Sequence, residues 1–341
     1  MTPGPSGPPD RLPLALLLPG QGAQHAAMAL GLVRTEPVVA DVVDEVLDLF
    51  GAEGARIRRD WWAGAPVDDV TRAQPLLFAV DLALGRLLAS RGVRPDVLVG
   101  HSAGEWAAAV LAGVVALPDA VRLLAERVEV LAGEPPGGMV AVAADALTVE
   151  AHLGGHEGVV VGAVNARDQV LVTGPHPQLR RAADALAAAG LTVLAARSTV
   201  GFHSPSLAAA CARTLPSFAR TRFAPPTVEV LSPFVGGPLG AEQACDPGFW
   251  AAQPAAPVLF GPVVDQLLAR GPHVVVECGP GRSLGTLLRR HPARGRTVVT
   301  GLLPARPGGA AADVEALHRA LDVLAGTGHL PVPRPHLEAT P

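Results

Sequence analysis

Apolar residues along this chain fall into two rhythms: short unbroken runs, and longer stretches where they recur every three or four positions. Leu14-Ala15-Leu16-Leu17-Leu18 is the first unbroken run, and Pro19-Gly20-Gln21-Gly22 ends it as a turn. Val97-Leu98-Val99, Val228–Ser232, His273–Glu277 and Thr297–Val299 read the same way. Such Val- and Leu-rich runs are apolar on both faces, as strands buried in a parallel sheet must be. Between them the helical rhythm predicts Leu76–Leu88, opened by Pro75 at its first position, a helical stretch from Glu105 to Leu131, and a closing helix Ala310–Ala325. The middle of the chain changes character. Met139–Ala143, Val159–Val164, Val170–Thr173 and Leu191–Ala196 read as strands, with helices Ala146–Leu153 and His176–Ala189 among them. The order βαββαβ is that of a ferredoxin-like unit.

The predicted fold class is therefore α/β. An α/β-hydrolase-like large lobe takes residues 14–136 and 200–329, and an inserted ferredoxin-like small lobe takes residues 137–199. Residues 1–13 are Pro/Gly-rich and expected to be disordered; residues 330–341, which carry Pro331, Pro333 and Pro335, are expected to form an extended tail.

Composition narrows the classes. Of 341 residues 49% are hydrophobic but only 4% aromatic, with no Tyr, so the core must be built from Ala, Val and Leu. All 27 basic residues are Arg, and a net charge of −4 gives no basic footprint for nucleic acid. No apolar stretch reaches the ~18 residues of a membrane span without helix breakers or charge. The N-terminus lacks the apolar core of a secretory signal, and Cys211, Cys245 and Cys278 have no metal-ligand spacing. The expectation is a soluble cytoplasmic protein with no metal, no membrane partner and no nucleic acid.

Chemistry enters at Gly100-His101-Ser102-Ala103-Gly104. A G-x-S-x-G between a buried strand and a helix (Glu105–Gly113) is a nucleophile elbow. Its glycines allow the sharp turn that lifts the serine Oγ clear of the sheet, and the helix N-terminus offers N–H groups to an oxyanion. A serine needs a base, and Phe202-His203-Ser204 supplies a histidine at the junction between the small lobe's last strand and a helix opened by Pro205. Asp265 with His291, or Asp313 with His329, are the alternatives that an α/β-hydrolase order would use.

Several motifs then fall in the order of one family. Gly20-Gln21-Gly22-Ala23-Gln24 resembles the G-Q-G-[SA]-Q of malonyl-CoA:acyl carrier protein transacylases and of polyketide synthase acyltransferase domains. Gln74-Pro75 resembles their Q-P element, and Gly100–Glu105 matches G-H-S-x-G-E. Val164–Val170 is similar to N-x-P-x-Q-V, with Arg167 in place of Pro. Phe202-His203-Ser204 matches F-H-S, Trp250–Gln253 with Pro257–Phe260 resembles W-x-x-[NQ]…P-V-x-F, and Glu277–Gly281 matches E-x-G-P-G. Together these span nearly the whole chain.

The resemblance implies an acyltransferase in which Ser102 attacks an acyl-CoA thioester and His203 shuttles the proton. It implies that the backbone carbonyl of Gln253 orients the histidine and that the N–H groups of Gln21 and Ala103 form the oxyanion hole. Arg127, 25 positions after Ser102, takes the place of the family's carboxylate clamp, which points to malonyl. Gln74, Phe202 and Gly201 complete the acyl site: Phe202 fits the malonyl-selective pattern, and Gly201, where Ala is common, would widen the pocket. The acyl-CoA is a substrate, no cofactor is implied, and the acceptor is the phosphopantetheine thiol of an acyl carrier protein. Arg282, Arg289, Arg290, Arg294, Arg296 and Arg306 lie in a stretch without Asp or Glu that would steer such an acidic partner or grip phosphate. With no ketosynthase or carrier segment, the enzyme is expected to act in trans. Aminoacyl transfer between carriers and editing hydrolysis are the rival readings.

Overall fold

Strands carry the frame, and they sort into two sheets. The computed structural model describes residues 11–196 and 198–330, so most of both terminal segments named above lies outside the described residues. In chain order the strands are β1 (Leu14–Leu18), β2 (Val97–Gly100), β3 (Gly137–Val142), β4 (Val160–Ala166), β5 (Gln169–Pro175), β6 (Val193–Ala195), β7 (Glu229–Ser232), β8 (Gly237–Pro238), β9 (Val274–Glu277) and β10 (Val298–Gly301). The large sheet runs β10-β9-β1-β2-β7-β8, parallel except for the short hairpin strand β8. Strand β1 is wholly buried and lies between β2 and β9, with Leu18 opposite Gly100 and Leu17 opposite Glu277. Alternate residues face opposite cores. Leu14, Leu16 and Leu18 join the larger core, whereas Ala15 and Leu17 pack with Phe260, Val263, Leu267 and Leu288 on the other side. Because the chain leaves β1 to opposite sides, β2 and β9, the carboxyl ends of these strands form the switch-point crevice where open α/β sheets place ligands.

The small sheet runs β4-β5-β3-β6, all antiparallel, with the helices Ala146–Glu150 and Gln178–Ala188 against one face. This is the ferredoxin-like order. Its other face turns toward the crevice. Strand β4 ties the lobes together, because the Val164 N–H donates to the Val258 carbonyl (2.8 Å) and the Val258 N–H donates to that of Gly162 (2.9 Å).

Two helical expectations change. The helix expected at Leu76 spans Val70–Ser90: the Asp69 carboxylate caps the Thr71 N–H, so Pro75 sits inside the helix rather than at its start. That helix is long and apolar enough to cross a membrane, yet it is packed within the large lobe's core. The stretch from Glu105 to Leu131 is two helices, Gly104–Leu111 and Leu117–Ala132, broken where Gly113 takes φ 71°.

Candidate active site

Ser102 stands between β2 and the helix Gly104–Leu111 with φ 52°, a left-handed conformation strained for any residue with a Cβ. The turn is possible because its neighbours are glycines. A Cβ on Gly100 would lie 2.4 Å from the Glu105 backbone, and one on Gly104 would lie 2.1 Å from the Leu18 carbonyl oxygen. The Ser102 Oγ is 2.7 Å from His203 Nε2.

His203 also has positive φ, 62°. Its N–H donates to the Pro254 carbonyl at 2.7 Å, and its ring Nδ1 lies 2.9 Å from the Ala256 carbonyl. A carbonyl only accepts, so Nδ1 carries the hydrogen and Nε2 is left to accept from serine. The expected orienting group was the Gln253 carbonyl; the Ala256 carbonyl makes the direct hydrogen bond and that of Gln253 adds a weaker pull on the same ring. The Gln253–Ala255 segment is a 3-10 turn whose Gln253 carbonyl is engaged by the Ala256 N–H (3.3 Å), and the chain leaves it extended, presenting the Ala256 oxygen. Burial pushes the His203 imidazolium down to about 3, against the smaller opposing help of the Ala256 carbonyl, so the ring rests neutral.

Neither the Gln21 nor the Ala103 N–H donates to another group among the described residues. They are brought together because Gly20 lacks a side chain: a Cβ there would sit 2.3 Å from the His101 carbonyl and 3.3 Å from the Ala103 nitrogen. A cavity of about 790 Å³ opens over this group, lined by Gln21, Gln74, Ser102, Phe202 and His203 from the large lobe and by Met139, Asn165 and Leu171 from the small one. His101 Nε2 meets Asn165 Oδ1 at 2.9 Å and makes a wall joining the lobes.

Arg127 is 3% exposed and does not line that cavity; it lies behind Gln74. It donates to Gln253 Oε1 (2.9 Å) and, at the limit of bonding, to Gln74 Oε1 (3.4 Å), while its Nε has no partner. No carboxylate forms an ion pair with it among the described residues. On its other side the guanidinium lies 6.0 Å from the Trp106 ring, part of a cluster with Trp250 and Phe218 that gathers much of this chain's scarce aromatic content. Burial lowers its pKa to about 10, so it stays charged at neutral pH. Gln74 Nε2 donates onward to Gln21 Oε1 at 3.1 Å.

Gly201 is not in the cavity wall. A Cβ there would lie 2.9 Å from the Gly174 carbonyl, so glycine is required by backbone contact with β5, and the expected wider pocket is not its effect. The alternative bases are engaged elsewhere. His291 pairs with Asp265 (2.9 Å) beside a separate small cavity, Asp313 accepts from the Gly31 N–H, and His329 meets Arg11. Of the arginines expected to face a partner, Arg282 turns inward to the Leu303 and Gly301 carbonyls and Arg289 to that of Val299. Arg290, Arg294, Arg296 and Arg306 are exposed, and Arg290 rims the cavity.

One residue was missed. Glu105, 2% exposed, accepts from Gln253 Nε2 (2.7 Å), Ser232 Oγ (3.0 Å) and the Phe234 N–H (3.2 Å). Burial pushes its carboxyl up to about 7 despite those three donors and the nearby Arg127. The signal was available: it is the one charged residue in the helix Gly104–Leu111, whose first five residues are otherwise apolar and buried.

Residues 16–300 match the family described as acyl transferase domain. A phenolphthiocerol/phthiocerol polyketide synthase component from Mycobacterium tuberculosis is 35% identical over 318 residues, 92% of this chain. The chain spans only about a fifth (21%) of that protein's length. The acyltransferase domain from the second module of the salinomycin polyketide synthase is 34% identical, with TM-score 0.85 over 92% of this chain and 73% of that one. The acyl transferase domain of SpnD, solved with a 2-(pent-4-yn-1-yl)malonyl group, is 31% identical, with TM-score 0.87 over 97% of this chain and 81% of that one.

Proposed function

The chain belongs to the acyl transferase domain family, and from that premise we propose that it moves a malonyl group from coenzyme A to the phosphopantetheine thiol of an acyl carrier protein through an ester on Ser102. The observation that carries malonyl is Arg127: a charged guanidinium buried behind the cavity with an unpartnered Nε and no carboxylate in contact. A buried guanidinium with an unsatisfied N–H and no carboxylate in direct contact is unfavourable, and a dicarboxylic acyl group would bring one into contact. Its carboxylate takes the place of the Gln74 and Gln253 amide oxygens, with Gln74 moving aside.

In the first half-reaction Ser102 Oγ attacks the thioester carbonyl as its proton passes to His203 Nε2. The tetrahedral oxygen is held by the N–H groups of Gln21 and Ala103, each such donor being worth about 3 kcal/mol in the barrier. Collapse breaks the C–S bond, and the coenzyme A thiolate leaves with the proton from His203. In the second half the carrier thiol gives its proton to His203, its sulfur attacks the ester, and Ser102 recovers the proton. All groups used belong to the chain or its substrates, and a substrate of this kind places the reaction in the cytoplasm. Arg290, Arg294, Arg296 and Arg306 form the face that meets the acidic carrier.

Intact-protein mass measurement after brief mixing with malonyl-CoA tests this directly. A malonyl adduct on the wild-type chain, absent from Ser102→Ala, is the expected result. No adduct, with Ser102 still labelled by a fluorophosphonate, would sink the malonyl assignment and favour carrier-to-carrier transfer or editing hydrolysis.

A further inference from the structure

We propose that Glu105 is a positioning residue for the Arg127 clamp, and that it exchanges its negative charge for a proton when the substrate carboxylate arrives. This rests on the malonyl reading above. The two side chains share one amide: Gln253 donates through Nε2 to Glu105 (2.7 Å) and accepts through Oε1 from Arg127 (2.9 Å). An amide placed between a carboxylate and a guanidinium has only one favourable orientation, so Glu105 fixes which end of Gln253 faces the clamp. The same Gln253 opens the 3-10 turn that presents the Ala256 carbonyl to His203, so clamp and base share a support.

The charge balance follows from what surrounds the pair. His203 and His101 are held neutral by burial, and the Cys211 thiol beside Arg127 is pushed up and kept protonated. Ser232, the Phe234 N–H and Gln253, the remaining groups against Glu105, are uncharged. Above about pH 7 only Arg127 and Glu105 carry charge in this cluster. In the empty enzyme the ionised Glu105 is the counter-ion of Arg127, one amide away. A malonyl carboxylate on the guanidinium puts two anions around one cation in a dry site, and the one further from Arg127 is the one that takes a proton.

Acylation itself releases and absorbs no net proton, because the serine proton ends on the coenzyme A thiol. Proton uptake on malonylation therefore reports Glu105. The experiment mixes enzyme and malonyl-CoA in weak buffer with a pH indicator while mass measurement counts the adduct. Near pH 8 the expected uptake approaches about one proton per malonyl group, and the acylation equilibrium weakens up to about tenfold per pH unit above 7. Glu105→Gln, which keeps the shape without the charge change, abolishes both effects. Should that variant not fold, the infrared difference between malonylated and empty wild-type enzyme replaces it, with a gained protonated-carboxyl band expected. An adduct that forms without proton uptake overturns the role of Glu105 and leaves the malonyl reading standing. Uptake that persists in a folded Glu105→Gln variant, or a missing carboxyl band, also overturns it. If no adduct forms, the malonyl reading fails and this inference falls with it.

Discussion

The Ser102–His203 pair and the polar chain behind it lie a few residues apart and are built on opposite plans. Both members of the pair occupy left-handed backbone, a strain of about 1–2 kcal/mol each. Main-chain groups hold them there: the Pro254 and Ala256 carbonyls on His203, and packed glycines around Ser102. The chain Glu105–Gln253–Arg127–Gln74–Gln21 is joined entirely side chain to side chain, over distances of 2.7–3.4 Å. It also leaves Arg127 Nε and Gln21 Nε2 unpartnered. Backbone geometry cannot change without refolding the segment, whereas an amide can trade one oxygen for another. The reaction centre is thus fixed, and selection of the acyl group falls to parts that can exchange partners.

The sharpest way to break that division is His203→Asn. Asn tolerates left-handed backbone, so the segment should keep its shape while the base is lost. A fall of about 10³–10⁴-fold in kcat/KM for malonyl transfer is expected, with the thermal midpoint nearly unchanged. A loss below tenfold would mean that the pair is not the reaction centre. Gly20→Ala comes next. Its Cβ, 2.3 Å from the His101 carbonyl, must push the Gln21 N–H away from Ala103. Single-turnover acylation should slow by about 10²-fold, with little change in KM, because the oxyanion exists only in the transition state.

The same division explains what was readable in the residues alone. The elbow is main-chain geometry enforced by glycines, and glycine spacing is printed in the sequence. The small lobe was equally plain, since the element order βαββαβ over β3–β6 is that of a ferredoxin-like unit. Side-chain chains are harder, because they join residues far apart: Glu105 and Gln253 are separated by 148 positions. Gln253 was expected to act through its carbonyl, and its side chain proves the busier half. The Asp69 cap was overlooked because Pro75 offered a stronger apparent start to the same helix.

Arg127→Leu tests the other side of the comparison. Removing the clamp should lower kcat/KM for malonyl-CoA by about 10²-fold or more, the usual effect of deleting one partner of a buried charge pair. Acetyl-CoA, with no carboxylate to place, should change by less than about threefold. Equal losses for both would make Arg127 a packing residue.

A pH titration separates the two plans more gently. The folded-state pKa of His203 is depressed by burial, as are those of His101, His273 and His329. In the unfolded chain all four take up protons near 6.5, so stability should decline as pH falls below about 6.5. The base itself stays neutral in the folded enzyme, so kcat/KM should show no acid limb near 6.5 while the thermal midpoint is already dropping. An acid limb at that pH would show that solvent reaches His203 freely.

The smallest effect expected is the one that decides whether neighbours of the base belong to selection at all. Phe202 and Gly201 precede His203 side by side, but only Phe202 lines the cavity. Phe202→Ser should raise the methylmalonyl-to-malonyl ratio by about tenfold, the worth of a few methylene-sized contacts in an apolar pocket. Gly201→Ala should leave that ratio within about twofold, since its Cβ points at the Gly174 carbonyl, 2.9 Å away, rather than into the cavity. The crowding should appear instead as about 1 kcal/mol of lost stability in denaturant melts, because β5 must shift by a few tenths of an ångström to receive the methyl group. A changed acyl preference with unchanged stability would return Gly201 to the acyl site. It would also mean that backbone so close to the base takes part in choosing the substrate.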